Sequence, residues 1–250
     1  MAELIYYGVS AVQLTTHGKK VVIDPYLRKS PIKPVDPHDV EADIILVTHG
    51  ARDHMGDAIE LALISGAYLV AGIDVLTCAR KKGVPEEKTL SMVPGAERIV
   101  EGVPIKALHV QHISFTRCDD TVYTGTAMSY LITMDDGGKF YHAGDSALHG
   151  DFKLFGEIYK PDIALMPIGM FKGAKLTEMQ PWEAAIATSW LNVSLAIPVH
   201  YDLEDQADYP NQFRNAVHSH NDNIDVSVTE VGIPYLLQRG TDGLYHLAKK

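Results

Sequence analysis

The sequence is poor in cysteine, with only Cys78 and Cys118 among its 250 residues. Two cysteines are too few for a disulfide framework, and neither belongs to the CxxC or CxxH spacing of a cysteine-based zinc site. We therefore expect two reduced thiols in a cytosolic protein. The amino terminus lacks the basic and long apolar segments of a signal peptide, and no apolar run approaches the roughly 20 residues of a membrane span. These absences predict a cytoplasmic protein with no membrane partner.

Basic residues are also scarce, since 22 Lys and Arg stand against 32 Asp and Glu, giving a formal net charge of −10. An acidic surface repels polyanions, so no nucleic-acid partner is expected. The chain has no P-loop and no GxGxxG fingerprint, so nucleotide-dependent chemistry has no support. Without a low-complexity linker or internal repeat, residues 1–250 are predicted to form a single domain. A small-molecule substrate is the expected partner, and homo-oligomer formation stays open.

The order of apolar segments predicts the fold class. A β-meander is followed by a continuous apolar run at 43–48, which is typical of a strand buried on both faces. Strands are predicted at 4–7, 12–16, 20–23, 43–48, 68–71, 105–110, 127–134, 139–142, 162–167 and 194–200, and helices at 58–64, 75–82, 152–159 and 181–191. Each half of the chain runs from strands into strand–helix alternation, which predicts packed sheets with helices outside. Trp182 and Trp190 share one face of the last helix and are expected in the core.

Ionisable residues follow several of the predicted buried strands. His49, His109 and His200 each end or follow such a strand, and Asp145 follows the strand at 139–142. Burying such groups is costly unless something pairs with them. Strand ends commonly converge on one crevice in α/β folds. Imidazole and carboxylate ligands suit zinc, manganese or iron, so the sequence predicts a divalent metal site.

The loop Thr48-His49-Gly50-Ala51-Arg52-Asp53-His54 carries the strongest pattern. With the later His109, Asp145 and His200, it resembles the His-x-His-x-Asp-His motif and distant ligands of the metallo-β-lactamase superfamily. The phrases Ile23-Asp24-Pro25 and Met166-Pro167-Ile168-Gly169 also look like the small bacterial-type metal-dependent hydrolases related to ascorbate-phosphate lactonases. The resemblance spans most of the chain and implies a four-layer αββα sandwich, an α/β (α+β) fold.

One position departs from the family motif, because Ala51 stands where the second histidine is expected. The resemblance assigns the first metal to His49, His109 and Asp145, which leaves that site short of one ligand. It assigns the second metal to four residues that are all present: Asp53, His54, Asp145 and His200. We therefore expect one bound ion rather than two. His112 is expected to be exposed rather than a replacement ligand, and Arg52 is expected to point outward.

The resemblance implies a metal-dependent hydrolase in which a metal-activated water attacks an ester, lactone or phosphoester. Zinc is the expected ion, with manganese or iron as alternatives, and Asp53 is the expected catalytic residue that orients the attacking water. His142 is expected in the core or behind the ligands. Tyr201 and residues 170–172 are expected to line the substrate pocket.

Two other functions compete with hydrolysis at a metal site, and only the second remains open from the sequence. Gly144-Asp145-Ser146-Ala147-Leu148 is similar to the Gly-Asp-Ser-Leu string of a serine-esterase family, which would make Ser146 a nucleophile. That family also has a late Asp-x-x-His pair, which this chain lacks, so we interpret the match as a coincidence. The second alternative is a degenerate family member that lost catalysis with its histidine and serves as a binding or structural protein. Retention of the other ligand positions favours hydrolysis.

Overall fold

Apolar alternation and continuous apolar runs produce two β-sheets flanked by helices in residues 2–170 and 178–250, which the computed structural model describes. The strands are β1 (Ala2–Gly8), β2 (Ala11–Thr16), β3 (Lys19–Ile23), β4 (Ile44–Leu46), β5 (Tyr68–Ala71), β6 (Thr89–Ser91), β7 (Glu97–Val100), β8 (Val103–Cys118), β9 (Thr121–Thr133), β10 (Lys139–His142), β11 (Ile163–Pro167), β12 (Leu195–Val199), β13 (Asp225–Val226), β14 (Pro234–Arg239) and β15 (Tyr245–Lys249). The helices are α1 (Arg52–Met55), α2 (Ala58–Ser65), α3 (Ile73–Lys81), α4 (Asp151–Ile158), α5 (Pro181–Leu191) and α6 (Tyr209–His220).

The described strands form two sheets of mixed direction. The first has the order β15-β14-β1-β2-β3-β4-β5-β6, antiparallel through the β1–β3 meander and parallel from β3 onward. The second has the order β13-β12-β11-β10-β9-β8-β7, antiparallel through β7–β10 and parallel from β10 onward. The chain segments that follow β4, β10 and β12 carry the polar residues identified from the sequence.

The hydrophobic core is divided into three layers, which confirms the αββα sandwich. The central layer lies between the sheets and includes Leu4 and Val12 from one sheet and Ile105 and Phe140 from the other. Two outer layers pack the sheets against helices: one includes residues of α2 and α3, and the other residues of α4, α5 and α6. Within the described residues, none of the helices combines the length and apolar character that crossing a membrane requires.

The two cysteines are paired in the structure, so the expectation of two reduced thiols is wrong. Cys78 on α3 and Cys118 at the end of β8 form a disulfide whose Cα atoms lie 5.5 Å apart. The long β8–β9 hairpin reaches across α3 and brings together two residues that are 40 positions apart in the sequence. Only the tertiary arrangement of that hairpin reveals the pairing.

Helix α5 also differs from expectation in its orientation. Trp182 is 58% exposed and Trp190 is likewise exposed, so neither tryptophan belongs to the core as predicted. The side of the helix that packs against the sheet consists mainly of small residues, which allow the helix and the strands to approach closely. Its buried residues are Pro181, Ala184, Ala185, Ala187, Thr188 and Leu191.

Candidate metal centre

The loop after β4 is held by hydrogen bonds and by close packing. The backbone N–H and the hydroxyl of Thr48 donate to the two carboxylate oxygens of Asp24, each over 2.7 Å. Glycine is required at position 50, because a Cβ atom there would lie 2.7 Å from the carbonyl oxygen of Phe115. The loop therefore lies directly against β8 before the chain turns into α1.

Four of the expected ligand residues converge at this point: Asp53, His54, Asp145 and His200. One potential ligand atom from each lies within 4.8 Å of the others. The Nε2 atoms of His54 and His200 lie 3.0 Å and 3.5 Å from Oδ2 of Asp145. Oδ2 of Asp53 lies 3.5 Å from Nε2 of His200. Asp145 is thus the central member of the cluster.

The two histidines of this cluster are oriented by hydrogen bonds on their far side. Nδ1 of His54 lies 2.7 Å from Oδ2 of Asp24, and Nδ1 of His200 donates to the carbonyl oxygen of Gly169 over 3.1 Å. Such partners fix the tautomer and ring orientation of metal-binding histidines. Both imidazoles consequently direct Nε2 toward Asp145.

The charges in the cluster are strongly coupled. Burial raises the pKa of Asp145, but the neighbouring His200 and His54 outweigh it and hold that pKa well below the usual value. Burial lowers the pKa of His200, but Asp145 and Asp53 raise it to about 9. The pKa of His54 is also raised, because Asp145 and Asp24 outweigh its burial. Protons on these two imidazoles therefore balance the buried carboxylates.

A second group adjoins the first and consists of His49, His112 and Asp145. The rings of His49 and His112 are 4.7 Å apart, and Nε2 of His49 lies 3.9 Å from Oδ2 of Asp145. Burial and the nearby His54 lower the pKa of His49 to about 3, so its imidazole is neutral. Ala51 stands at the start of α1 and supplies no ligand atom, as expected from the sequence.

The donor set is suited to a divalent cation. Within the described residues, Nε2 of His49 and Oδ1 of Asp145 are buried without a hydrogen-bond partner, which costs free energy unless a ligand satisfies them. A neutral imidazole with a free ring nitrogen is the form that binds metals. A cation would also replace the protons that His54 and His200 hold in its absence. These residues therefore fit a metal site.

His109 lies outside both groups, contrary to the sequence-based placement. Its side chain is 54% exposed and its Nδ1 atom lies 2.8 Å from Oδ2 of Asp151. The strand continues to Cys118 instead of ending near Val110, and its pairing with β9 shifts register between His109 and Ile113. Such a bulge breaks the simple alternation of side chains that the sequence argument assumed.

The position expected for His109 is occupied by His112, which the sequence analysis placed on the exposed surface. Its side chain is partly buried, and burial lowers its pKa. The sequence does contain an indication of this placement, because the β-prone residues Ile113, Phe115 and Thr116 continue the strand beyond His112. Extending the strand would have placed His112 in the sheet.

Glu178 is a further acidic residue at the centre that the sequence analysis missed. Its Oε2 atom lies 3.6 Å from Nδ1 of His200, and its side chain is buried. Burial and the charge of Asp145 raise the pKa of Glu178 to about 7. No sequence motif surrounds this residue, so only the fold could place it beside His200.

Two other residues near the centre have structural roles. His142 is fully buried; its Nε2 donates to the carbonyl oxygen of Ser10 and its Nδ1 accepts from the N–H of Gly144, as expected for a residue behind the ligands. Ser146 is also buried, and its hydroxyl accepts a hydrogen bond from the N–H of Gln111. A serine in this position is inaccessible to substrate, which disfavours the esterase alternative.

An open cleft of about 560 Å³ lies beside the loop. Its walls include Ala51, Arg52 and Asp53 from the loop and Phe115 and Arg117 from β8. Arg52 is exposed, as expected, and it lines the cleft. Tyr201 is buried in the layer beneath the helices. Of the other residues expected to line the pocket, 171 and 172 lie outside the described residues.

The chain is similar to a known protein family, to curated relatives and to a solved structure. Residues 3–200 match a family model described as a beta-lactamase superfamily domain. The chain is 38% identical over 234 residues to a metal-dependent hydrolase of Methanobrevibacter smithii, covering 92% of this chain and 95% of that protein. A metal-dependent hydrolase of Methanopyrus kandleri is 34% identical over 235 residues, with 93% and 99% covered. A solved structure of a metallo hydrolase from Ignicoccus hospitalis superposes with a TM-score of 0.76 at 26% identity, covering 95% of this chain and 99% of that one.

Proposed function

Because this chain belongs to the beta-lactamase superfamily and is a metal-dependent hydrolase, we propose that it hydrolyses an ester, lactone or phosphoester of a small molecule at the cluster of Asp53, His54, Asp145 and His200. The observation that carries the proposal is the convergence of these four side chains within 4.8 Å. The arrangement follows the ligand set expected from the sequence.

These four residues would hold one divalent ion, with zinc favoured by the mixture of imidazole and carboxylate ligands. Such an ion lowers the pKa of a bound water toward about 7 and polarises the scissile group. His49 and His112 share Asp145 with the main cluster but lack a partner at Ala51. We propose that this adjoining group binds a second ion weakly or contacts the substrate instead.

Asp53 is assigned the role of orienting the attacking water. Its side chain is partly exposed, so it can be reached from the solvent. Burial raises its pKa, but His200 and His54 outweigh that effect and lower the pKa to about 2. The carboxylate is therefore ionised at neutral pH, and it accepts hydrogen bonds rather than donating them.

The cleft suggests the charge of the substrate. Arg52 and Arg117 both line it, and within the described residues neither guanidinium forms a salt bridge. Arginine binds carboxylates and phosphates through paired N–H groups. We propose that the substrate carries an anionic group that lies between these residues and leaves the scissile bond near Asp53.

The proposal is tested with purified protein and a panel of chromogenic esters, lactones and phosphoesters. Chelation should abolish hydrolysis. Adding zinc, manganese or iron should restore it, and the restored rate should differ between the three ions. Asp145→Asn should lower the rate by at least about 100-fold, because it weakens the central ligand. The control Asp222→Asn changes an exposed carboxylate and should have no effect.

Activity that survives metal removal and Asp145→Asn would contradict the proposal. Loss of activity in Ser146→Ala with no effect of chelators would instead support the serine-esterase alternative. A folded protein that binds zinc but hydrolyses no member of the panel would favour the non-catalytic alternative.

A further inference from the structure

A separate group of potential metal ligands lies where β8 meets the start of α4. It consists of His109, His149 and Asp151, none of which belongs to the centre described above. Oδ2 of Asp151 lies 2.8 Å from Nδ1 of His109 and 3.8 Å from Nδ1 of His149. One ligand atom from each of the three residues lies within 4.8 Å of the others.

His149 is the most informative member of this group. Its side chain is only 8% exposed. Within the described residues, neither of its ring nitrogens has a hydrogen-bond partner. Burying an imidazole in this way costs free energy unless a ligand satisfies one of the nitrogens. The ring is nevertheless held in place, since it packs 4.4 Å from Phe152 and 5.3 Å from His109, measured between ring centroids.

The backbone around the group is fixed by contacts between two segments. The N–H of Gln111 donates to the hydroxyl of Ser146 over 3.1 Å, and the N–H of Ala147 donates to the carbonyl oxygen of Gln111 over 3.2 Å. These bonds join β8 to the loop before α4. The three side chains are therefore brought together by the fold itself rather than by flexible surface residues.

We propose that His109, His149 and Asp151 form an additional metal site that binds one zinc ion or a similar borderline divalent cation. Two imidazoles and one carboxylate are a ligand set that zinc prefers, and a water can complete a four-coordinate site. The exposed side chain of His109 leaves a path for the ion from solvent. The same two segments carry His112 and Asp145, so an ion here would brace the backbone that supports the main centre.

The test compares zinc binding to the wild-type chain with binding to the double variant His109→Asn/Asp151→Asn. Both proteins are dialysed against zinc at micromolar concentration, and bound metal is counted by elemental analysis. We expect the double variant to lose one equivalent. The matched control is His246→Asn/Asp242→Asn, which removes an exposed histidine–aspartate pair whose Nε2 and Oδ2 atoms are 3.5 Å apart but which, among the described residues, belongs to no group of three potential ligands. The control should retain the wild-type stoichiometry.

A double variant that binds as much zinc as the wild type would overturn the proposal, as would an equal loss in the control. If circular dichroism shows that the double variant is not folded, the single variant His109→Asn replaces it, since that change affects an exposed side chain. We then expect the zinc concentration for half-saturation of the one equivalent assigned to the His109, His149 and Asp151 site to rise at least tenfold, while the binding of the other zinc ions stays as in the wild type. An unchanged half-saturation would equally overturn the proposal. Because the readout is metal binding, hydrolytic activity does not enter the result.

Discussion

Nδ1 of His54 lies 2.7 Å from Oδ2 of Asp24, with both side chains fully buried. The same carboxylate accepts hydrogen bonds from the N–H and hydroxyl of Thr48. Asp24 therefore connects the end of β3 to the loop after β4 and determines which nitrogen of His54 faces the candidate metal centre. This relationship makes Asp24 a positioning residue for the proposed ligand His54.

Replacing this carboxylate should weaken metal binding. Asp24→Asn removes the charged acceptor for His54, and such changes typically lower metal affinity by about 10- to 100-fold. Competition with a chelator of known affinity measures the effect. Asp57→Asn is the matched control, because Asp57 likewise holds the backbone, accepting the N–H groups of Leu27 and Arg28, but among the described residues it contacts none of the proposed ligands. Equal affinities in both variants would contradict the role assigned to Asp24.

The number of bound ions should change when the missing ligand is restored. Ala51→His places an imidazole beside the group of His49 and His112, so we expect one more equivalent of zinc than in the wild type and an altered hydrolytic rate. Adding His112→Ala to this variant should remove the extra equivalent. Unchanged stoichiometry in Ala51→His would show that the alanine does not limit binding.

Metal binding should release protons in a pH-dependent way. The pKa of His200 is raised to about 9 and that of His54 is also raised, so both are protonated at pH 7 in the absence of metal. A cation must displace these protons, so affinity should increase as the pH rises toward 9. Titration of zinc into the metal-free chain in dilute buffer with an indicator dye should detect about two protons per ion near pH 7. Binding without proton release would contradict the charges assigned here.

The two arginines of the cleft should determine the preference for anionic substrates. Arg52→Gln and Arg117→Gln should each raise KM about tenfold for an anionic phosphoester, which corresponds to ~1.4 kcal/mol, and should change little for a neutral ester. Steady-state kinetics on both substrates provide the measurement. Arg98→Gln serves as the control, because Arg98 is exposed on β7 and does not line the cleft. Equal effects on neutral and anionic substrates would refute the assignment.

The disulfide between Cys78 and Cys118 should contribute to stability. Closing a loop of this length restricts the unfolded chain, and the expected loss on reduction is about 4 kcal/mol. Urea unfolding with and without reductant measures the difference. The double variant Cys78→Ala/Cys118→Ala should be insensitive to reductant. Two titratable thiols in the unreduced, denatured protein would show that the bond does not form.

Much of the fold was predictable from local patterns. The strands Tyr68–Ala71 and Lys139–His142 and the helix Pro181–Leu191 agree with the predicted ranges to the residue. Each has a clear boundary signal, such as the turn at 135–138 or the proline that begins the helix. By contrast, β14 joins the first sheet by pairing with β1 and carries β15 at its outer edge, and the sequence analysis predicted neither strand. β1 and β14 are more than 200 residues apart in the sequence, so no local pattern reveals their pairing.

The sequence by itself determined the loop Thr48–His54 after a buried strand, and the resemblance to the metallo-β-lactamase superfamily implied its gap at Ala51 and the grouping of Asp53, His54, Asp145 and His200 as proposed ligands. Only the tertiary structure decided that His112 rather than His109 adjoins His49. The reason is the irregular pairing of β8, which redirects side chains without changing the apolar pattern. Tertiary packing likewise brought Glu178 to His200 and Cys78 to Cys118, since contacts between distant segments depend on how the sheets and helices pack.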